Sequence, residues 1–327
     1  MISNKLRDSV AEKIAANTLI LELHIRGPMF KKGVSSKRIL DRGNGNGNGS
    51  DAASEEAGNE NGAINPDRIH ISKDLIDQKQ LKAIRDLTSQ FTTRLKFFTL
   101  PTGMLANGLY RVATSSVNDI DMLIEQFDAD RKAELKKFAL SYSELIAQAE
   151  KDLGPEFNRG DYPPIEKVLE AYRVEWAYFK ADMPVDLEEL SRSIIVRERE
   201  KQEVSLRRAY DEIQVGLRAG FAQLIDTFAR QLGTDTATGK KRKLYDSTLE
   251  KINLFLTTFS SRNMTDDREL AKLVDQARDL VNGKDAKAIR GSDPMRAALQ
   301  SGFDKISSTV STMVEVRSRK FSLASDV

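Results

Sequence analysis

The chain has 327 residues, no cysteine and only two histidines, His24 and His70. Disulfide scaffolds, cysteine-ligated metal sites and cysteine nucleophiles are therefore excluded. Histidine-based acid–base or metal chemistry has almost no candidates. His24 lies on a strand-like stretch and reads as an exposed or partner-paired side chain. His70 reads as a solvent or capping residue. Large aromatic anchors are few, with a single tryptophan, Trp176. No sign of charge dominates: 51 Lys and Arg face 49 Asp and Glu, for a net charge of +2. Such a balance argues against a protein that works mainly by coating nucleic acid. No apolar run approaches the roughly 18 residues that span a bilayer. No signal-peptide core is visible either, so a soluble cytoplasmic protein without membrane contact is expected.

Catalytic signatures are also missing. The sequence holds no HExxH, P-loop, GxSxG or EF-hand loop, and no Glu-x-x-His pair of the kind that builds di-metal bundles. The carboxylate pairs Asp119/Asp121 and Glu188/Glu189 point apart on a helix and do not make a shared site. The expectation is a non-enzyme with no metal and no cofactor.

What is present is mostly helical periodicity. Asn4 to Ala16 can form a helix, and Thr18 to Arg26 has the period of a strand, with Leu19, Leu21, Leu23 and Ile25 on one face. Gly43 to Gly62, GNGNGNGSDAASEEAGNENG, has no large apolar residue and reads as a disordered insertion. Apolar spacing predicts helices from Lys73 to Phe97 and from Ser116 to Leu153, the latter stopped by Gly154-Pro155. A long helix from Asp186 to about Leu232 loses its apolar stripe between Ile194 and Val204. That pattern suggests an arm, with the Ser116–Leu153 helix as its antiparallel partner by adjacency. Lys240-Lys241-Arg242-Lys243 is expected to open a further helix. Asp266-Asp267-Arg268-Glu269 caps another helix to Val281, and a last helix begins at Pro294.

The fold expectation is a mainly α, elongated helical bundle with a long antiparallel hairpin and a few short strands. Its parts are an N-terminal helix and strand (1–42), the insertion (43–66), a helix and connector (67–115), the hairpin (116–232) with an aromatic knot at 154–184, C-terminal helices (233–317) and a flexible tail (318–327).

Two stretches are candidate contact sites. Tyr162, Pro163, Tyr172, Trp176, Tyr178 and Phe179 cluster in the Tyr-Pro block. They read as a packed knot joining long helices, with partner binding as the functional alternative. Lys240, Lys241, Arg242 and Lys243 read as a solvated edge, with an acidic partner, phosphate or nucleic-acid contact as the alternative. Self-association of exposed helical arms also stays open.

Three segments resemble the bacterial and phage family called domain of unknown function 3150. They are LILELHIRGPMFKKGVS with the later FFTLPTGMLANGLYRV, the block LGPEFNRGDYPPIEKVLEAYRVEWAYFKADMP, and GKKRKLYDSTLEKINLFLTTFSSRNMTDDRELAKLV. The resemblance covers most of the chain outside the Gly43–Gly62 insertion. It implies a helical accessory protein of phage, plasmid or bacterial origin, encoded near a MoxR-type AAA+ ATPase and a von Willebrand factor A protein. It supplies no catalytic residues.

Overall fold

A computed structural model describes residues 12–28, 30–34, 70–102, 105–180 and 192–322. The Gly43–Gly62 insertion lies outside them, as do residues 181–184 at the end of the aromatic block and 323–327 at the end of the expected tail. The described chain is mainly helical, with a few short antiparallel strands in small sheets. No described helix is long and apolar enough to cross a membrane.

In chain order the elements are β1 (Thr18–Ile25), β2 (Lys31–Val34), β3 (Ile71–Asp74), α1 (Lys82–Leu95), β4 (Leu109–Ala113), α2 (Val117–Leu153), α3 (Ile165–Ala171), β5 (Val174–Phe179), α4 (Arg192–Leu232), α5 (Asp246–Arg262), α6 (Arg268–Val281), α7 (Ala286–Gly291) and α8 (Asp293–Ser322). They fall into two compact units. The first comprises Met1–His24, Gln90–Gln126 and Glu175–Val327, the second Ile25–Ser89 and Phe127–Val174.

The first unit contains the three-stranded sheet β4-β1-β5. β1 pairs antiparallel with β4 from Thr18↔Ala113 to Glu22↔Leu109. Ile20, Leu21 and Leu23 are buried, so apolar residues on both faces of β1 are covered, beyond the single face that the alternation suggests. Against expectation, α4 takes α8 as its antiparallel partner. Arg296, near the start of α8, donates to the carbonyls of Leu232 and Gln231 at the end of α4, and Phe228 meets Phe303 edge-on at 4.9 Å. Chain adjacency named α2 as that partner, yet what α4 packs on is set by which apolar stripe fits it. α5 adds Phe255, which stacks on Phe221 at 5.3 Å, and α6 buries Leu270, Leu273, Val274, Ala277 and Val281. Spacings of 3, 1, 3 and 4 keep these five on one helical face.

The cap of α6 is shifted by one residue from the sequence reading. Asp267, not Asp266, is the N-cap, and its carboxylate accepts from Leu270 N. Asp266 takes a positive φ of 49° just before it, a conformation that Asp tolerates better than most residues. The helix α7 has no counterpart in the sequence expectation. Its six residues are too few for periodicity to register. The expected tail is helical as far as Ser322.

The second unit is built on α2. Leu135, Phe138, Tyr142, Ile146 and Ala149 recur at three or four residues, and they bury against Phe30, Leu75, Ile76, Leu81, Ile84, Tyr162 and Val168. β2 and β3 form an antiparallel pair from Lys31↔Asp74 to Val34↔Ile71. The helix expected from Lys73 therefore begins only at Lys82. Residues 71–74 pair as a strand, and tertiary pairing outweighs their helical spacing. Arg131, 4% exposed, donates to Arg26 O at 2.6 Å and lies 5.0 Å from the Tyr172 ring. A Cβ at Gly27 would stand 2.7 Å from that ring, so the chain passes there only as glycine.

Candidate functional site

The aromatic block divides between the two units. In the second, Pro164 is the N-cap of α3, and its fixed φ suits the entry to a helix. Tyr162 is 4% exposed, stacks on Phe157 at 5.3 Å and donates its hydroxyl to Leu75 O. Burial raises its phenol pKa, as it does that of Tyr142, whose hydroxyl donates to Pro163 O. Pro163 is half-buried and contributes that carbonyl. Asp161, just before this pair, accepts Lys32 Nζ and Lys73 Nζ. The hydrogen bonds from Lys32 and Lys73 hold its carboxyl below the usual carboxylate range against the opposing effect of burial. Tyr172 is half-buried beside Arg131. These residues are occupied with packing.

In the first unit, β5 alternates as its sequence does, with Val174, Trp176 and Tyr178 half-buried and Glu175, Ala177 and Phe179 exposed. Trp176 Nε1 and Tyr178 Oη both donate to Oδ1 of Asp121 on α2, at 2.9 and 3.0 Å. Burial, then the hydrogen bond to Asp121 and its charge, push the Tyr178 phenol strongly up. Phe179 alone of the six is a large exposed hydrophobic, at 43%. The block is thus two sets of aromatics with separate partners. Nothing in linear order marks Asp121 as the shared acceptor, because it lies 55 residues from Trp176.

The basic run does not open a helix. α5 starts at Asp246, and Tyr245, its N-cap, is extended with φ −94° and ψ 137°. Residues 233–242 form a tight hairpin. Asp235 N donates to Lys240 O and Arg242 N to Gly233 O, and Thr234 bridges Lys241. Gly239 turns the tip with φ +67°, and the Asp235 carboxylate accepts from Ala237 N, Thr238 N and Thr238 Oγ1. Those hydrogen bonds, the backbone and side-chain bonds of Thr238 first, lower the Asp235 pKa. The hairpin base rests on Arg296, 7% exposed, which donates to Leu232 O, Gln231 O and Arg242 O. A guanidinium with several donors in a fixed plane suits such a cluster of carbonyls. Sequence reasoning missed Arg296 because its partners lie more than fifty residues away.

The four cations are placed differently. Lys241 pairs with Asp293 at 2.5 Å and Arg242 with Asp235 at 3.8 Å. Lys243 Nζ lies 5.0 Å above the Tyr245 ring, and Lys240 is exposed at the tip. Nearby, Arg290 donates to Leu244 O and to Asp246. The two histidines take no part in either site: His24 pairs with Glu22 at 2.8 Å, and His70 is exposed. Among the described residues no group of three or more metal-ligating side chains converges. In comparison with known proteins, no family model, no curated protein and no solved structure matches the chain.

Proposed function

We propose that the chain is a non-catalytic helical adaptor that acts in the cytoplasm by protein–protein contact. Its partners on this reading are a MoxR-type AAA+ ATPase and a von Willebrand factor A protein, the neighbours that the sequence resemblance implies. One observation carries the adaptor reading. The first stretch of α4, residues 193–205, has no buried side chain, and Val196 and Val204 are 55% and 56% exposed. A helical stretch this short gains little from propensity alone. A stretch of long helix that buries none of its own side chains, with two valines about two turns apart, offers a face that a partner can cover.

The test is co-expression with the adjacent ATPase, capture through a tag on this chain, and the double variant Val196→Asp, Val204→Asp. Both side chains are exposed, so the fold should survive, as circular dichroism can verify. The wild type should retain the ATPase and the variant should lose it. Equal retention by the two, or none by the wild type, defeats the reading. Of the cations at 240–243, Lys241 and Arg242 are ion-paired and three aspartates stand in the same patch, which lends little weight to a nucleic-acid role.

A further inference from the structure

The hairpin at 233–245 carries a second surface, independent of α4's exposed stretch. From Lys241 to Tyr245 the chain alternates. Lys241, Lys243 and Tyr245 are exposed, Arg242 is half-buried and Leu244 is 1% exposed. This is the period of an extended strand. The hydrogen bonds alternate too. The bonds flanking the bridged pair, Asp235 N to Lys240 O and Arg242 N to Gly233 O, turn the amide and carbonyl of Lys241 away from the hairpin. Arg242 O and Leu244 O are taken by Arg296 and Arg290. The backbone amides and carbonyls of Lys241 and Lys243 make no hydrogen bond among the described residues. Unbonded main-chain groups at Lys241 and Lys243 and an exposed row of Lys, Lys and Tyr therefore coincide on one extended segment, which ends where Tyr245 N donates to Gln231 Oε1.

We propose that this edge is a docking strand for an extended, acidic segment of a partner protein. The partner strand adds to the outer edge through main-chain hydrogen bonds with Lys241 and Lys243. Carboxylates at every second position of that strand meet Lys241 and Lys243, which stand about 7 Å apart along an extended chain. A following apolar side chain covers the Tyr245 ring, which is 49% exposed. The pair between Lys241 and Asp293 is exposed on both sides, 58% and 67%. Exchanging Asp293 for a partner carboxylate therefore costs little. Asp293, with the neighbouring Asp235 and Asp246, opposes a continuous polyphosphate chain. Asp235, Asp246 and Asp293 interrupt the cationic field at short range, so a segment with spaced carboxylates fits better than a nucleic-acid backbone.

The experiment uses the full chain and fluorescence anisotropy with a labelled peptide, Glu-Thr-Glu-Thr-Val, which puts two carboxylates and then a valine on one face of an extended strand. Saturable binding is expected. The double variant Lys241→Glu, Lys243→Glu should weaken it at least about tenfold, a change of one order in Kd, with an unchanged thermal melt. Methylating the peptide's backbone nitrogens at alternate residues should cost a similar factor in one of the two phases, because only one phase faces the docking edge. Equal affinity in both phases and the unmethylated peptide refutes strand addition. Absence of saturation at millimolar peptide refutes the site. A single-stranded oligonucleotide of equal length that binds more tightly than the peptide overturns the assignment in favour of nucleic acid.

Discussion

Replacing Asp267 by alanine removes two supports at once. Its carboxylate accepts Arg218 Nε at 2.6 Å, Arg218 Nη2 at 2.9 Å and Leu270 N at 3.1 Å, and the side chain is 2% exposed. Loss of the N-cap costs about 1 kcal/mol. Stranding a buried guanidinium costs about 3–5 kcal/mol. Arg218 keeps an exposed partner, Glu269 at 3.1 Å, and is itself 12% exposed, so the low end of that range applies. The expected total is about 4 kcal/mol, which lowers the melting temperature of this unit by roughly 10 °C. Calorimetry of wild type and variant reads it. A double-mutant cycle with Arg218→Met separates the terms, because removing both charges should restore much of the loss. A loss below about 1 kcal/mol, the worth of a surface pair, refutes the reasoning. The pH dependence carries a sign. Burial alone would raise the Asp267 pKa, but Arg218, Leu270 N and Gln214 outweigh it and hold it below the usual carboxylate range. A depressed folded pKa stabilises above the unfolded value near ~3.9 and is lost as pH falls through the folded one. Wild type should therefore lose more stability than Asp267→Ala on acidification below about pH 5.

Two glycines in α4 should respond in opposite directions. A Cβ at Gly216 would meet Pro101 Cβ at 2.6 Å, whereas one at Gly220 meets nothing within 4 Å. Gly220→Ala should stabilise by up to about 1 kcal/mol through helix propensity, and Gly216→Ala should destabilise by about 1–2 kcal/mol after that gain is offset by the clash, both read by urea unfolding. Asp121→Ala leaves Trp176 Nε1 and Tyr178 Oη without their acceptor. The emission of Trp176, the chain's one tryptophan, should shift and lose anisotropy, and an unchanged spectrum contradicts the pairing. Asp161→Ala removes the counter-ion of Lys73, 10% exposed, and leaves it only the Glu156 carbonyl, so it should speed hydrogen exchange across β2 and β3 relative to wild type.

Helical content was legible in the sequence wherever an apolar stripe persisted. Val117–Leu153 and Arg268–Val281 emerge close to their expected bounds, because burial of one face needs the 3.6-residue period whatever the partner. The strand at Thr18–Ile25 and the alternation at Val174–Phe179 were legible for the same reason at period two. The candidate residues were legible as types but not as arrangements. Lys240 to Lys243 stand out as charge, yet their extended course is imposed by Arg296, far away in sequence, holding Arg242 O. Trp176 and Tyr178 stand out as aromatics, while Asp121 decides where their polar ends point.

The sequence by itself determined that no cysteine chemistry is available, the helical class and most helix stops, since these depend on residue types and local periods. Only the tertiary structure decided that α4 pairs with α8, that Lys73 begins no helix, and that the basic run leaves a tight hairpin in extended form. Each of these turns on contacts between distant residues, where burial and hydrogen-bond satisfaction outweigh local propensity by several-fold.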